Sequence, residues 1–177
     1  MMKRWLLLST TVGLGLAFAA DPAAAIESPE AAQIIQKDLL KPAKAYTMPA
    51  GCITDDKDAI ARGKFIFHNL NGDKVKGAPP AGLAKTNPDG SPKQYGNCVA
   101  CHNIEGAKGA GNIGPDLTNY NEHFIKTGAR DDAFVFQKIA DARIDNPDTH
   151  MTINLTTGLF TEREICDIAS YVVSIKQ

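Results

Sequence analysis

Five consecutive residues, Cys98-Val99-Ala100-Cys101-His102, bring two thiols and an imidazole together in one short stretch. Each thiol can add across one vinyl group of a porphyrin, and a histidine directly after the second cysteine is then carried beneath the ring with a nitrogen facing the iron. Two other chemistries use paired cysteines. A zinc site needs two further ligands at short spacing, and Cys52, Cys166 and His123 do not supply that arrangement. A dithiol redox centre belongs in a strand-helix-strand pattern, and no strand-like alternation of any length occurs in the chain. The spacing therefore predicts one covalent haem c on Cys98, Cys101 and His102, with His102 as an iron ligand.

An iron that transfers electrons without binding substrate needs a ligand on its other face. Met151 is the first candidate, in a stretch between two predicted helices, because a thioether favours reduced iron and raises the potential. His150, its neighbour, would give bis-histidine ligation and a lower potential. Met48, His68 and His123 are the further options.

Two of the four cysteines lie outside this motif, and the start of the chain bears on their state. Met1-Met2-Lys3-Arg4, an apolar run from Trp5 to Ala20 and the small residues Ala23-Ala24-Ala25 are the three parts of a secretory signal peptide. Cleavage is expected after Ala25, with Ala19 as the alternative, which makes the destination the periplasm or an equivalent compartment. A retained anchor fits less well, since Ser9, Thr10 and Thr11 interrupt the run and a span needs roughly 20 strongly apolar residues. In an oxidising compartment Cys52 and Cys166 are expected to form a disulfide, the alternative being two buried thiols acting as small apolar residues.

Around these groups the apolar spacing is helical. Ser28-Pro29-Glu30 starts a pattern over 27–40, with Ala31, Ile34, Ile35 and Leu39 on one side. A connector follows to Cys52, and Thr54-Asp55-Asp56 caps a second helix to about Asn69, with Ile60, Gly63, Phe67 and Leu70 on its apolar side. Gly63 there weakens the helix by about 1 kcal/mol relative to alanine, which points to a second helix crossing close by. Residues 71–96 are polar and rich in Pro, Gly, Lys and Asn, a loop long enough either to serve a function or to be a solvated insertion. Gly109, Gly111, Gly114 and Pro115 mark another loop after the haem motif. Asp131-Asp132 caps a helix to about Arg143, carrying Val135, Ile139 and Ala142. Thr161 and Glu164 have capping-box spacing ahead of Ile165, Ile168, Ala169, Val172 and Ile175. The expected fold class is all-α with long loops.

At 177 residues and 44% apolar composition the chain suits one soluble globular domain. Its 19 basic residues are scattered among 20 acidic ones, so the basic patch of a nucleic-acid binder is missing. No later stretch resembles a membrane span.

With the haem motif, Gly114-Pro115, the late methionine and the capped last helix, residues 54–177 resemble the class I cytochrome c family. The resemblance implies a cytochrome c domain over 54–177, an N-terminal extension over 26–53 and a signal peptide over 1–25. It implies that Gly63 and Phe67 on one helix meet Tyr171 on the last, and that Pro115 lends its carbonyl to His102. More narrowly, the runs 96–102 and 111–117, and Asn146-Pro147 ahead of Met151, are similar to the monohaem subunits of SoxXA-type thiosulfate-oxidising complexes. Thr152 follows the methionine where proline is usual, and the 71–96 insertion separates a helix from a haem motif that are normally close. That similarity implies an electron-transfer subunit beside a second, SoxA-like cytochrome, with a soluble or membrane electron acceptor and with the catalytic thiolate of the thiosulfate transfer on the partner. The alternatives are a freestanding periplasmic shuttle and a haem sensor or peroxidase with an open iron position.

Overall fold

The computed structural model describes residues 41–109 and 111–176; the expected signal peptide over 1–25 and the helix expected over 27–40 lie outside the described residues. Among the described residues three α-helices carry the fold: α1 (Lys57–His68), α2 (Asp132–Ala140) and α3 (Glu162–Ser174). Short 3-10 turns at Gly72–Lys74, Cys98–Ala100 and Ala142–Ile144 and a π-helical turn at Asn121–Ile125 connect them. Among the described residues there is no strand, only the isolated bridges Asn71 to Gln94 and Thr86 to Pro92. No helix among them is long and apolar enough to cross a membrane.

Each helix begins where a short side chain satisfies its exposed amides. Asp56 accepts from the N–H of Asp58, Asp131 from that of Phe134, and Thr161 and Glu164 form a reciprocal capping box. The apolar faces then pack, α1 on α3 and α2 on α3, around Ile66, Phe136, Phe160, Ile165, Ile168 and Ala169, which are all but inaccessible. Gly63 sits at the crossing of α1 and α3: a Cβ built on it would lie 1.9 Å from the carbonyl oxygen of Asp167. Beside it Arg62 grips the Asp167 carboxylate through two hydrogen bonds of 2.7 and 2.8 Å. One turn on, the ring of Phe67 meets Tyr171 edge-on at 5.6 Å.

Three expectations about element ends are corrected. Leu70 is 47% exposed rather than on the apolar side, because α1 stops at His68 and the backbone is extended at Asn69. The helix expected to reach Arg143 ends at Ala140, where Asp141 takes an extended conformation and its carboxylate caps the following 3-10 turn. Ile175 is buried but lies beyond the last turn of α3.

Residues 71–96 are not a free loop. Tyr95 is buried and its hydroxyl donates to the Ala84 carbonyl at 2.6 Å, while Lys93 Nζ meets Glu164 at 2.6 Å and so fastens the segment to the first turn of α3. Cys52 and Cys166 are joined by a disulfide that links positions 114 apart in the chain. The segment before α1 is tied down as well: the Thr54 N–H donates to Ser170 Oγ at 3.1 Å, and Tyr46 N–H to Gln137 Oε1 at 2.7 Å.

Candidate haem-binding site

The segment leading to the motif is set by α1. The Gly96 N–H donates to the Ile66 carbonyl at 3.0 Å and the Asn97 N–H to the Asn69 carbonyl at 3.0 Å, after which Asn97, with φ of 44°, turns the chain into the 3-10 turn Cys98–Ala100. A side chain at Gly96 would collide with Cys98 Sγ at 2.6 Å. Cys98 and Cys101 are free thiols, each half-buried. Burial, reinforced by neighbouring Cys101, pushes the Cys98 thiol up to about 12, so it is neutral at physiological pH.

The His102 ring is held by the loop that follows. Its Nδ1 lies 2.8 Å from the carbonyl oxygen of Pro115. A carbonyl accepts only, so Nδ1 carries the proton and Nε2 keeps its lone pair. Gly114 makes that contact possible: a Cβ there would fall 2.3 Å from His102 Cε1 and 2.8 Å from Nε2. Gly111 packs as tightly against Ala100, with 1.9 Å from a built Cβ to the carbonyl oxygen. Asp116 latches the loop by accepting from the Thr118 N–H at 2.8 Å and from Asn103 Nδ2 at 3.0 Å; the Thr118 side chain, then Asn103 and the Thr118 N–H, hold its carboxyl down at about 2.

Phe67 links this site to the helix crossing, its ring 6.5 Å from that of His102 and 5.6 Å from that of Tyr171. Behind it Tyr171 shares a 2.8 Å hydrogen bond with His68 Nε2. Burial and then the charge of Glu105 raise the Tyr171 hydroxyl to about 12, and burial and Lys64 lower His68. Glu105 has both carboxylate oxygens buried with no donor among the described residues. Nothing in the sequence singles out Glu105.

The candidate distal ligands fall in different surroundings. Met151 is half-buried against the core, its N–H donating to Thr149 Oγ1 at 3.1 Å, whereas adjacent His150 is exposed. Met48 packs on the core, His68 is committed to Tyr171, and His123 is exposed on the π-helical turn. Of these, Met48 and Met151 combine an inward position with a side chain engaged in no hydrogen bond among the described residues.

The residues fit a covalently held haem. Two unbonded thiols stand with two residues between them, the imidazole tautomer exposes Nε2, and three glycines leave the motif room that a Cβ would fill. The described residues contain no cluster of three or more His, Cys, Asp or Glu arranged to hold a metal ion. A carbonyl on Nδ1–H makes the imidazole a stronger donor and fixes its plane.

The cytochrome c family model matches residues 89–176. No curated protein sequence matches the chain. Among solved structures, the crystal structure of SoxXA from P. pantotrophus is similar at 19% identity and a TM-score of 0.37, covering 62% of this chain and 94% of that one.

Proposed function

This chain belongs to the class I cytochrome c family, a family of haem c electron carriers, and we propose that it is the monohaem electron-transfer subunit of a periplasmic thiosulfate-oxidising complex of the SoxXA type. When bound, the haem supplies a one-electron iron centre. The chain's own part is positional. Pro115 and Gly114 hold His102 in one tautomer and one plane, and the core packs behind Met151 on the proposed distal side. Ligands held this way move little between oxidation states, which keeps the cost of electron transfer low. Cys52 and Cys166 are tied in a disulfide and Cys98 and Cys101 are the haem-attaching thiols, so the thiolate that accepts the sulfur belongs, on this reading, to the partner cytochrome.

The observation that carries the proposal is the hydrogen bond from His102, the last residue of the cysteine motif, to the Pro115 carbonyl in the loop that follows. The narrower assignment is supported by the runs 96–102 and 111–117 and by Asn146-Pro147 before Met151. It is tested by affinity pull-down of the tagged protein from its native host, with haem staining and mass identification of what is recovered. A second cytochrome in equal amount, together with thiosulfate-dependent haem reduction, is the expected result. Recovery of the chain alone, reducible only by generic donors, identifies a freestanding shuttle. Carbon monoxide binding to the reduced native protein identifies an open iron position instead.

A further inference from the structure

Asp141 joins both ends of the loop that carries Met151. Its carboxylate is fully buried just beyond α2. From the start of the loop Arg143 donates through Nε to Oδ1 at 2.9 Å and through Nη2 to Oδ2 at 2.8 Å. From its far end Thr156 Oγ1 donates to Oδ2 at 2.7 Å. Thr156 has one hydroxyl proton and directs it at Asp141, so the Tyr46 hydroxyl, 2.9 Å away, donates to Thr156.

Segment 41–46 completes the network. The Lys44 N–H donates to Asp141 Oδ2 at 3.2 Å, the Lys41 carbonyl accepts from Arg143 Nη1 at 2.8 Å, and Gln137 bridges the Tyr46 N–H, the Lys44 carbonyl and the Asp141 carbonyl. Two further bonds anchor the far end, from the Leu155 N–H to the Ala140 carbonyl and from Asn154 Nδ2 to the Ile139 carbonyl, both 3.0 Å. Between the anchors, residues 144–152 are mostly exposed and only Thr149 and Met151 are half-buried.

We propose that the buried network of Tyr46, Thr156, Asp141 and Arg143 is a positioning device for Met151, keeping its loop closed and thereby setting how readily the methionine leaves the iron. This rests on the reading of Met151 as the distal ligand. Tyr46 lies outside the matched residues 89–176, so the segment ahead of the cytochrome domain acts on the chemistry of the domain. An outside ligand reaches the iron only when the loop is open, and its apparent affinity scales with the open fraction. Removing one net hydrogen bond from the closed state raises that fraction by roughly threefold to tenfold.

The test titrates the ferric holoprotein with imidazole and follows loss of the weak thioether-to-iron absorption near the red end of the spectrum. Tyr46→Phe, Asp141→Asn and Met151→Ala are compared with the unchanged protein and with Ser170→Ala, whose buried hydrogen bonds to Cys52 and Thr54 lie outside the network. Imidazole is expected to bind roughly threefold to tenfold more tightly to Tyr46→Phe, still more tightly to Asp141→Asn, and unchanged to Ser170→Ala. Tyr46→Phe removes a single oxygen, so it decides the question even where Asp141→Asn fails to accumulate. Unchanged affinity in Tyr46→Phe, or an equal gain in Ser170→Ala, overturns the inference while Met151 stands as ligand, which loss of the absorption in Met151→Ala establishes. Persistence of the absorption in Met151→Ala overturns the ligand assignment, and this inference with it.

Discussion

Gly63 and Asp167 meet backbone to backbone: a single added carbon on Gly63 would lie 1.9 Å from the Asp167 carbonyl oxygen. Gly63→Ala sets two effects against each other. Alanine favours the helix by about 1 kcal/mol, but forcing α1 off α3 costs roughly 1 to 3 kcal/mol or more and disturbs the Arg62 to Asp167 pair and the Phe67 to Tyr171 contact. The expected net result is destabilisation, read as a lower urea midpoint with little change in m-value.

The His102 to Pro115 hydrogen bond uses a backbone carbonyl, which makes the identity of residue 114 more important than that of residue 115. Gly114→Ala places a methyl 2.3 Å from the imidazole and should lower the yield of normally ligated holoprotein by roughly tenfold or more. Pro115→Ala keeps the carbonyl and should retain most of it. His102→Ala should abolish stable haem incorporation, and a normal covalent haem spectrum in that variant would sink the assignment.

The disulfide between Cys52 and Cys166 closes a long loop of the unfolded chain. Replacing both cysteines with serine should cost about 2 to 5 kcal/mol, measured by urea unfolding of the holoprotein. The unchanged protein should lose a comparable amount on adding a reductant, and the double variant none.

Stability should fall as the solution is acidified. Arg143, opposed by burial and aided by Thr156 and the Lys44 N–H, holds the Asp141 carboxyl far below the usual range. Burial pushes Glu164 up, but Lys93 and Thr161 outweigh it and its carboxyl is lowered too. The unfolded chain therefore takes up protons near pH 4 that the folded chain refuses, so this stability is complete above about pH 6, begins to fall as pH drops through about 4 and goes on falling down to the lower folded-state values. His68, lowered by burial, adds a loss with the same sign that begins near pH 6.5. Urea midpoints between pH 7 and pH 3 test this, and Asp141→Asn should flatten the acid limb.

Lys93 is the main tie between the 71–96 segment and α3. Lys93→Met leaves the Glu164 carboxylate, whose side chain is 9% exposed, with only Thr161, and should cost roughly 1 to 3 kcal/mol. Limited proteolysis of the holoprotein should then cut within 76–92 faster than in the unchanged protein.

How much of this could be read in advance depends on the range of the interaction. The capping box of Thr161 and Glu164 is a contact three residues long, and α3 begins where that pattern places it. The end of α2 is different. Ala142 continues the helical spacing, yet the helix stops at Ala140 because Asp141 turns toward Arg143, Thr156 and Lys44, the last of them 97 residues away. Residues 71–96 have the composition of a solvated loop, and contacts outside the segment, the Lys93 to Glu164 pair, the Gly96 N–H on the Ile66 carbonyl and Val75 and Tyr95 in the core, make it part of the fold.

By itself the sequence determined the groups that react and the class of chemistry they perform, because two thiols and an imidazole within five residues need no fold to be neighbours. It also determined where helices start and which faces are apolar, since both are set within one or two turns. Tertiary structure alone decided which nitrogen of His102 is left for the iron, how the ends of the Met151 loop are tied, and how the segment before the domain is fastened to it. Each of those rests on a hydrogen bond between residues 13 to 110 positions apart, and no local propensity encodes such a pairing.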